Sequence, residues 1–405
     1  MSLENFFGRK YITRKIFCHL TAKILQDIIR RGRAAGLDKY FMAALGGAEG
    51  LGNKSIELLV KFFGSAKAAW FAETGDLFKA GVRKNALAAF IEFRIKHPDA
   101  PENLVSYCER QKISLCSIFE EDYPPILKEI HSPPMFFYYR GKLQPLAQRI
   151  GIVGSRRNTP YGQSVAVELG EQLAAAGLTV VSGAARGIDT FAHRGALRTG
   201  RTVAVLGCGI NIIFPRENKK LFEQIAESGV VLSEFPPQLL PSKITFPSRN
   251  RIIAGLSRGV IVVEADTKSG ALITSDFAVD NNRDVFAIPG QIYANMSRGC
   301  NELIRKGATL IKNARDVLEE YDLLKEDKVP EKIDAEKISA VPIALTDMEA
   351  KVLEAVPVDN YITEDEILMQ VDDLDLDDLV DILLKLDLKN CIEENAGRYK
   401  RKTGG

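Results

Sequence analysis

From residue 149 onward the apolar positions fall into short unbroken runs at 150–153, 178–181, 203–206, 230–232, 260–263, 285–288 and 309–311, with 20–30 residues of helical spacing between most of them. Runs without polar alternation are strands buried on both faces, and their alternation with helices predicts parallel βα units. The expectation is an α/β fold: a Rossmann-like, doubly wound, mainly parallel sheet over 145–320. Upstream, residues 37–97 place apolar side chains at helical spacing, broken by Gly46-Gly47, Gly50-Leu51-Gly52, Gly64-Ser65 and Gly81. That pattern predicts a helical domain over 37–105, of helix-hairpin-helix or SAM-like type. Its segment Leu51-Gly52-Asn53-Lys54, followed by Ile56, Leu59 and Val60, suits either a phosphate-approaching hairpin turn or a plain helix–helix connection. Residues 106–144 combine two Pro-Pro breaks with an aromatic run and read as a connector docked on the next domain.

Beyond residue 320 the periodicity stops, and 321–342 reads as a linker containing Pro330. Thr346 then stands as an N-cap with Glu349 three positions later, the spacing of a capping box. Helices near 364–369 and 376–386 and strand-like pieces from Cys391 to Lys400 complete a winged-helix-like domain over 343–403.

Charge changes this picture locally. The chain has 54 Lys and Arg against 53 Asp and Glu, so any polyanion surface must come from segregation of charge. Residues 1–36 form a basic extension, eight Lys or Arg against Glu4 and Asp27, whereas 341–405 carries sixteen acids against seven bases. Asp375, Asp377, Asp378 and Asp381 lie in or beside the presumptive recognition helix and would meet phosphates with like charge, which favours a protein partner for that module. The six cysteines are scattered without CxxC or histidine spacing, which predicts no metal and no disulfide framework. No 18-residue apolar run and no signal-peptide pattern occurs, so the expectation is a cytoplasmic protein without a membrane partner.

In an open parallel sheet ligands sit at the carboxyl ends of the strands. The loops there are rich in small residues and arginine: Gly154-Ser155-Arg156-Arg157, Ser182-Gly183-Ala184-Ala185-Arg186-Gly187-Ile188-Asp189, Gly207-Cys208-Gly209 and Lys268-Ser269-Gly270-Ala271. Free amides at helix starts attract anions, and arginine adds bidentate contacts to oxyanions. Arg156 and Arg186 are the leading pair. In Phe246-Pro247-Ser248-Arg249-Asn250-Arg251 the arginines suit a phosphodiester clamp or pairing with Glu234 or Glu264. Asn218-Lys219-Lys220-Leu221-Phe222 sets Lys219 and Phe222 three apart, which fits a phosphate contact with a stacked base, or Phe222 in the core and Lys219 in solvent. Neither GxGxxG after the first run nor GxxxxGK[ST] is present, so no nucleotide cofactor is expected. Asp189 and His193 lack a nucleophile or metal constellation and read as a capping carboxylate and a hydrogen-bonded imidazole.

The ordered strings Gly151-Ile-Val-Gly-Ser-Arg156, Tyr161-Gly162, Ser182-Gly-Ala-Ala-Arg-Gly-Ile-Asp189, Ala192-His193, Ser233-Glu234, Phe246-Pro-Ser-Arg-Asn-Arg251, Ser269-Gly270 and Ile288-Pro-Gly290 resemble the DprA/Smf (DNA-processing protein A) family. Ala184 departs from the leucine usual there. The resemblance implies a non-catalytic protein that binds and protects single-stranded DNA, forms a homodimer and loads RecA recombinase in natural transformation. It implies strand contacts at Arg156, the 182–189 loop and Lys219, with Phe222 against a base. With the neighbouring loop residues Gly154, Ser155, Asn218, Arg249, Asn250, Arg251, Lys268, Ser269 and Gly270, these form the expected interface. A dimer element is expected near 301–311 from its apolar content. The alternatives are a Rossmann-type nucleotide phosphoribohydrolase, whose Pro-Gly-Gly-x-Gly-Thr loop is missing here, and a duplex-DNA regulator acting through the carboxyl-terminal module.

Overall fold

The structure, a computed structural model of the 405-residue chain, describes residues 35–324 and 345–402 apart from 359, 372–373, 389–390 and 395–397. The basic extension up to residue 34 and most of the linker lie outside the described residues. The chain divides into two compact units, 1–324 and 325–405.

The described part of the first unit begins with the helices α1 (Ala35–Leu45), α2 (Asn53–Phe63), α3 (Ala66–Phe71), α4 (Thr74–Leu77), α5 (Lys84–Lys96) and α6 (Ala100–Arg110). Their apolar faces meet at the buried Trp70, which sets its ring edge-on to Phe41, Phe90 and Phe93 at centroid distances of 5.6–6.5 Å. Gly64, at φ 83°, ends α2, and the Ser65 hydroxyl accepts from Ala68 N to start α3. The Gly50–Gly52 turn, with Gly50 at φ 79°, joins α1 to α2. At its end the Asn53 carboxamide donates to Glu234 Oε1 (2.6 Å) and accepts from Met135 N (2.9 Å), which seats α2 on the sheet that follows.

That sheet contains β1 (Ser114–Ser117), β2 (Phe136–Gly141), β3 (Arg149–Val153), β4 (Thr179–Ser182), β5 (Thr202–Val205), β6 (Val230–Ser233), β7 (Gly259–Val262), β8 (Asp284–Ala287) and β9 (Thr309–Leu310). Its order is β1-β2-β6-β5-β4-β3-β7-β8-β9, with all pairs from β6 to β9 parallel. The seven runs read from the sequence are the seven parallel strands. The aromatic part of the connector is β2, which pairs antiparallel with β6 (Tyr138 opposite Ser233) and carries β1 outside it.

The crossover helices, after the short α7 (Pro125–Lys128), are α8 (Pro160–Ala175), α9 (Ile188–Thr199), α10 (Lys219–Ser228), α11 (Thr245–Leu256), α12 (Gly270–Asp280), α13 (Arg298–Arg305) and α14 (Ala314–Glu320). Alternate strand residues feed opposite faces. Ile152, Val180 and Ile261 join Leu169, Leu173 and Ala192, whereas Val153, Val181 and Val260 join Ile252 and Ile253. Helices α8 and α9 approach so closely that a Cβ on Gly195 would overlap the Val167 carbonyl. The strand order reverses between β3 and β7, so the crevice beyond their carboxyl ends is the place to look for a ligand.

In the second unit α15 (Asp347–Ala355), α16 (Glu364–Leu368) and α17 (Leu376–Leu388) pack on a three-stranded antiparallel sheet of β10 (Ile362–Thr363), β12 (Arg398–Arg401) and β11 (Ile392–Glu394), in that order. Thr346 with Glu349 and Thr363 with Glu366 each close a full capping box. Among the described residues no helix is long and apolar enough to cross a membrane.

Candidate nucleic-acid interface

The loops after β3 and β4 are locked together by backbone contacts. Ser155 N donates to Glu264 O (2.7 Å), Ile188 N donates to Ser155 O (3.2 Å), and Ser155 Oγ accepts from Arg157 N (3.0 Å). Gly187 takes φ 81°, and a Cβ there would overlap the Ser155 carbonyl. A Cβ on Gly154 would come within 2.6 Å of Ile188 Cγ1. Glycine at both positions is thus needed to bring the loops into contact, and Arg156 and Arg157 are left exposed on the rim.

Each helix start beside these loops already holds an anion from the chain itself. Glu264, 3% exposed at the end of β7, accepts from Thr159 N (2.9 Å) and Thr159 Oγ1 (2.5 Å) at the amino terminus of α8. Its carboxylate lies against Gly162, where any Cβ would collide with it. The Asp189 carboxylate in the first turn of α9 accepts from Gly183 N (3.2 Å) and Ala185 N (3.4 Å). Both carboxylates lie at the positive end of a helix dipole, a position that favours an anion such as a phosphate. Burial pushes the Asp189 carboxyl up, against the opposing pull of the Arg249 guanidinium.

The surroundings of Arg249 correct the expectation for it. It is 3% exposed and donates through Nη1 to the carbonyls of Gly183 (2.7 Å) and Val205, and through Nε to Asn250 Oδ1 (3.0 Å). Asn250 passes the link on to Gly270 O (3.3 Å). Arg251 forms an ion pair with Glu234 and donates to Ser132 O (2.7 Å), so of its two expected roles the ion pair is the one present. Asn218 is also internal: its amide donates to Ala184 O (3.1 Å) and Thr190 Oγ1 (2.8 Å). Ser182 donates to Ile152 O (2.6 Å). Phe222, 8% exposed, packs in the core with Ala184, Leu206 and Ile225, which corrects the stacked-base expectation. These groups are consumed because a loop between strand and helix must first satisfy its own buried donors and acceptors.

The exposed cations in the loops and helix starts that follow the parallel strands include Arg156, Arg157, Arg186, Arg216, Lys219, Lys220, Lys243 and Lys268. Arg186 pairs with Glu217, and both are on the surface. Ser269 caps α12 through Ala271 N (3.3 Å), next to the open Gly270. His193 is buried and neutral, its proton affinity pushed down to about 3 by burial and by Arg249, with Nδ1 2.6 Å from Thr202 Oγ1. Sequence reasoning missed Phe214 and Phe246. Their rings lie 5.8 Å apart, and the Arg156 guanidinium sits over Phe246 at 4.7 Å.

The family model of DNA recombination-mediator protein A matches residues 114–322. The chain is 45% identical over 216 residues to DNA processing protein DprA of Streptococcus pneumoniae, covering 53% of this chain and 76% of that one. It is 40% identical over 250 residues to the Bacillus subtilis DprA, covering 61% and 82%. Against Protein Smf of Synechocystis it is 47% identical over 205 residues, 49% of this chain and about half, 52%, of the relative's length. The X-ray structure of the S. pneumoniae DprA superposes with a TM-score of 0.62 at 39% identity, covering 70% of this chain and 97% of that one.

Proposed function

Because the chain belongs to the DprA/Smf family of DNA recombination-mediator proteins, we propose that it is a non-catalytic single-strand binder that holds DNA along the carboxyl-terminal rim of the parallel sheet. A DNA-processing role in recombination follows from the family. The observation that carries the finer reading is the contrast between filled helix termini and exposed cations. Glu264 and Asp189 occupy the two positions where one phosphate would be cradled, while Arg156, Arg157, Lys219 and Lys268 project from successive loops. Such a rim suits a chain of phosphates held one cation at a time. The proposal extends to protection of the strand, RecA loading and self-association along the open sheet edge at β9, where Leu310 is half exposed.

The test is fluorescence anisotropy of labelled oligo-dT with the wild type and Arg156→Ala, over several salt concentrations, with duplex and mononucleotide as competitors. Salt-sensitive single-strand binding that Arg156→Ala weakens, and that neither competitor displaces, is expected. Tight mononucleotide binding without strand binding would refute it. Deletion of 341–405 is expected to spare single-strand affinity, since the exposed Asp375 and Asp378 beside and within α17 oppose phosphates.

A further inference from the structure

We propose that Phe214, backed by Phe246 and Arg156, is the platform on which one base of a bound single strand stacks. The inference rests on the strand-binding reading and goes beyond it by naming where a base, as distinct from a phosphate, is held.

A strand binder combines cations for the backbone with open aromatic faces for the bases. Phe222 is buried, 8% exposed, whereas Phe214 is 44% exposed. A lone exposed phenylalanine means little. This one stands at the end of a row. Its ring leans on Phe246 at 5.8 Å and 46°, and the far member of the row is the Arg156 guanidinium, 4.7 Å from the Phe246 centroid. The row is built in from below. Gly207, just past the end of β5, leaves room for Phe246, because a Cβ there would come within 2.7 Å of Phe246 Cδ1. The segments on either side are stitched together, Gly209 N donating to Leu239 O (2.8 Å) and Asn211 N to Pro237 O (3.0 Å). The Arg156 guanidinium lies over the Phe246 face, so a phosphate at Arg156 and a base at Phe214 would belong to one ligand with alternating anionic and planar groups. Exposed Lys243 and Arg216 on the same two segments add positive charge, which favours a nucleic acid over an apolar protein partner.

The experiment compares full-length wild type, Phe214→Ala and Phe214→Trp on two labelled probes of equal length, oligo-dT and a fully abasic oligonucleotide with the same sugar-phosphate backbone. Anisotropy is expected to show a loss of roughly 5- to 150-fold for Phe214→Ala on oligo-dT, the range set by one base–aromatic stack. The abasic probe is expected to bind both alike, and Phe214→Trp to keep or improve oligo-dT affinity. Equal oligo-dT affinity for wild type and Phe214→Ala, or equal losses on both probes, overturns the platform. So does a change of molar mass by light scattering in Phe214→Ala, which makes the patch a contact between copies. If wild type binds neither probe, the strand-binding reading itself falls.

Discussion

Arg249→Met separates the two roles open to that arginine. Methionine keeps the aliphatic reach but removes the donors to Gly183 O, Val205 O and Asn250 Oδ1. It also removes the cation that most opposes desolvation of the Asp189 carboxylate. Hydrogen bonds from charged donors contribute about 1.5–3 kcal/mol each, and losing two of them to buried carbonyls together costs about 3–5 kcal/mol. We expect a loss in the latter range. At about 2–4 °C per kcal/mol for a large domain, Tm falls by roughly 6–20 °C.

The pH dependence of that deficit has a definite sign. Asp189 titrates above its usual 3.8 in the folded protein, so its ionisation opposes folding at higher pH and ceases to as pH falls through the folded value. Without Arg249 the folded value climbs further, and that of His193, which the same cation holds down, rises as well. Both changes make the variant's deficit shrink on acidification. Urea unfolding from pH 7 downward measures this, alongside oligo-dT anisotropy well below Tm. A variant with wild-type Tm that has lost strand binding would show that Arg249 is a strand ligand and that its burial has been misread.

Three further outcomes can be checked directly. His193, neutral down to about pH 3 when folded and near 6.5 when unfolded, contributes stability above 6.5 that is lost as pH falls toward 3, up to about 5 kcal/mol; in His193→Gln, urea midpoints should no longer carry that share of the acid slope, and an unchanged slope refutes it. Glu217→Gln releases Arg186 from its surface partner, so oligo-dT affinity should rise at low salt and converge with wild type at high salt; equal affinities at low salt would count against Arg186 as a strand contact. Gly195→Ala forces a Cβ against the Val167 carbonyl between α8 and α9 and should cost about 1–3 kcal/mol in urea unfolding, as overpacking does; wild-type stability would mean the helices separate without strain.

The parallel sheet was legible because its central strands are buried on both faces, leaving runs such as residues 150–153 and 260–263 with no polar interruption. Strand β2 was less so. Its aromatic run follows two prolines, and its antiparallel pairing with β6 depends on residues some ninety positions away. The cations Arg156 and Lys219 could be placed on the rim by their position after a strand run. Arg249, Asn218 and Phe222 could not be separated from them by residue type, since a buried arginine bonded to carbonyls and a surface arginine on phosphate look alike in a string. Whether a loop amide is open depends on which carboxylate of the same chain reaches it, and Glu264 lies 105 positions from Thr159.

Glu264 has a consequence for the setting in which the interface works. A cell holds far more free nucleotide than single-stranded DNA, and an empty helix terminus at the switch point would be a standing target for it. Here the terminus of α8 is permanently loaded by a carboxylate of the same chain. A monophosphate or triphosphate finds no cradle there and must rely on one or two rim cations, a weak and salt-sensitive hold. A strand reaches many cations at once, and its contacts add. On the proposed reading, that one internal acid would favour a polymer over a free nucleotide at the rim.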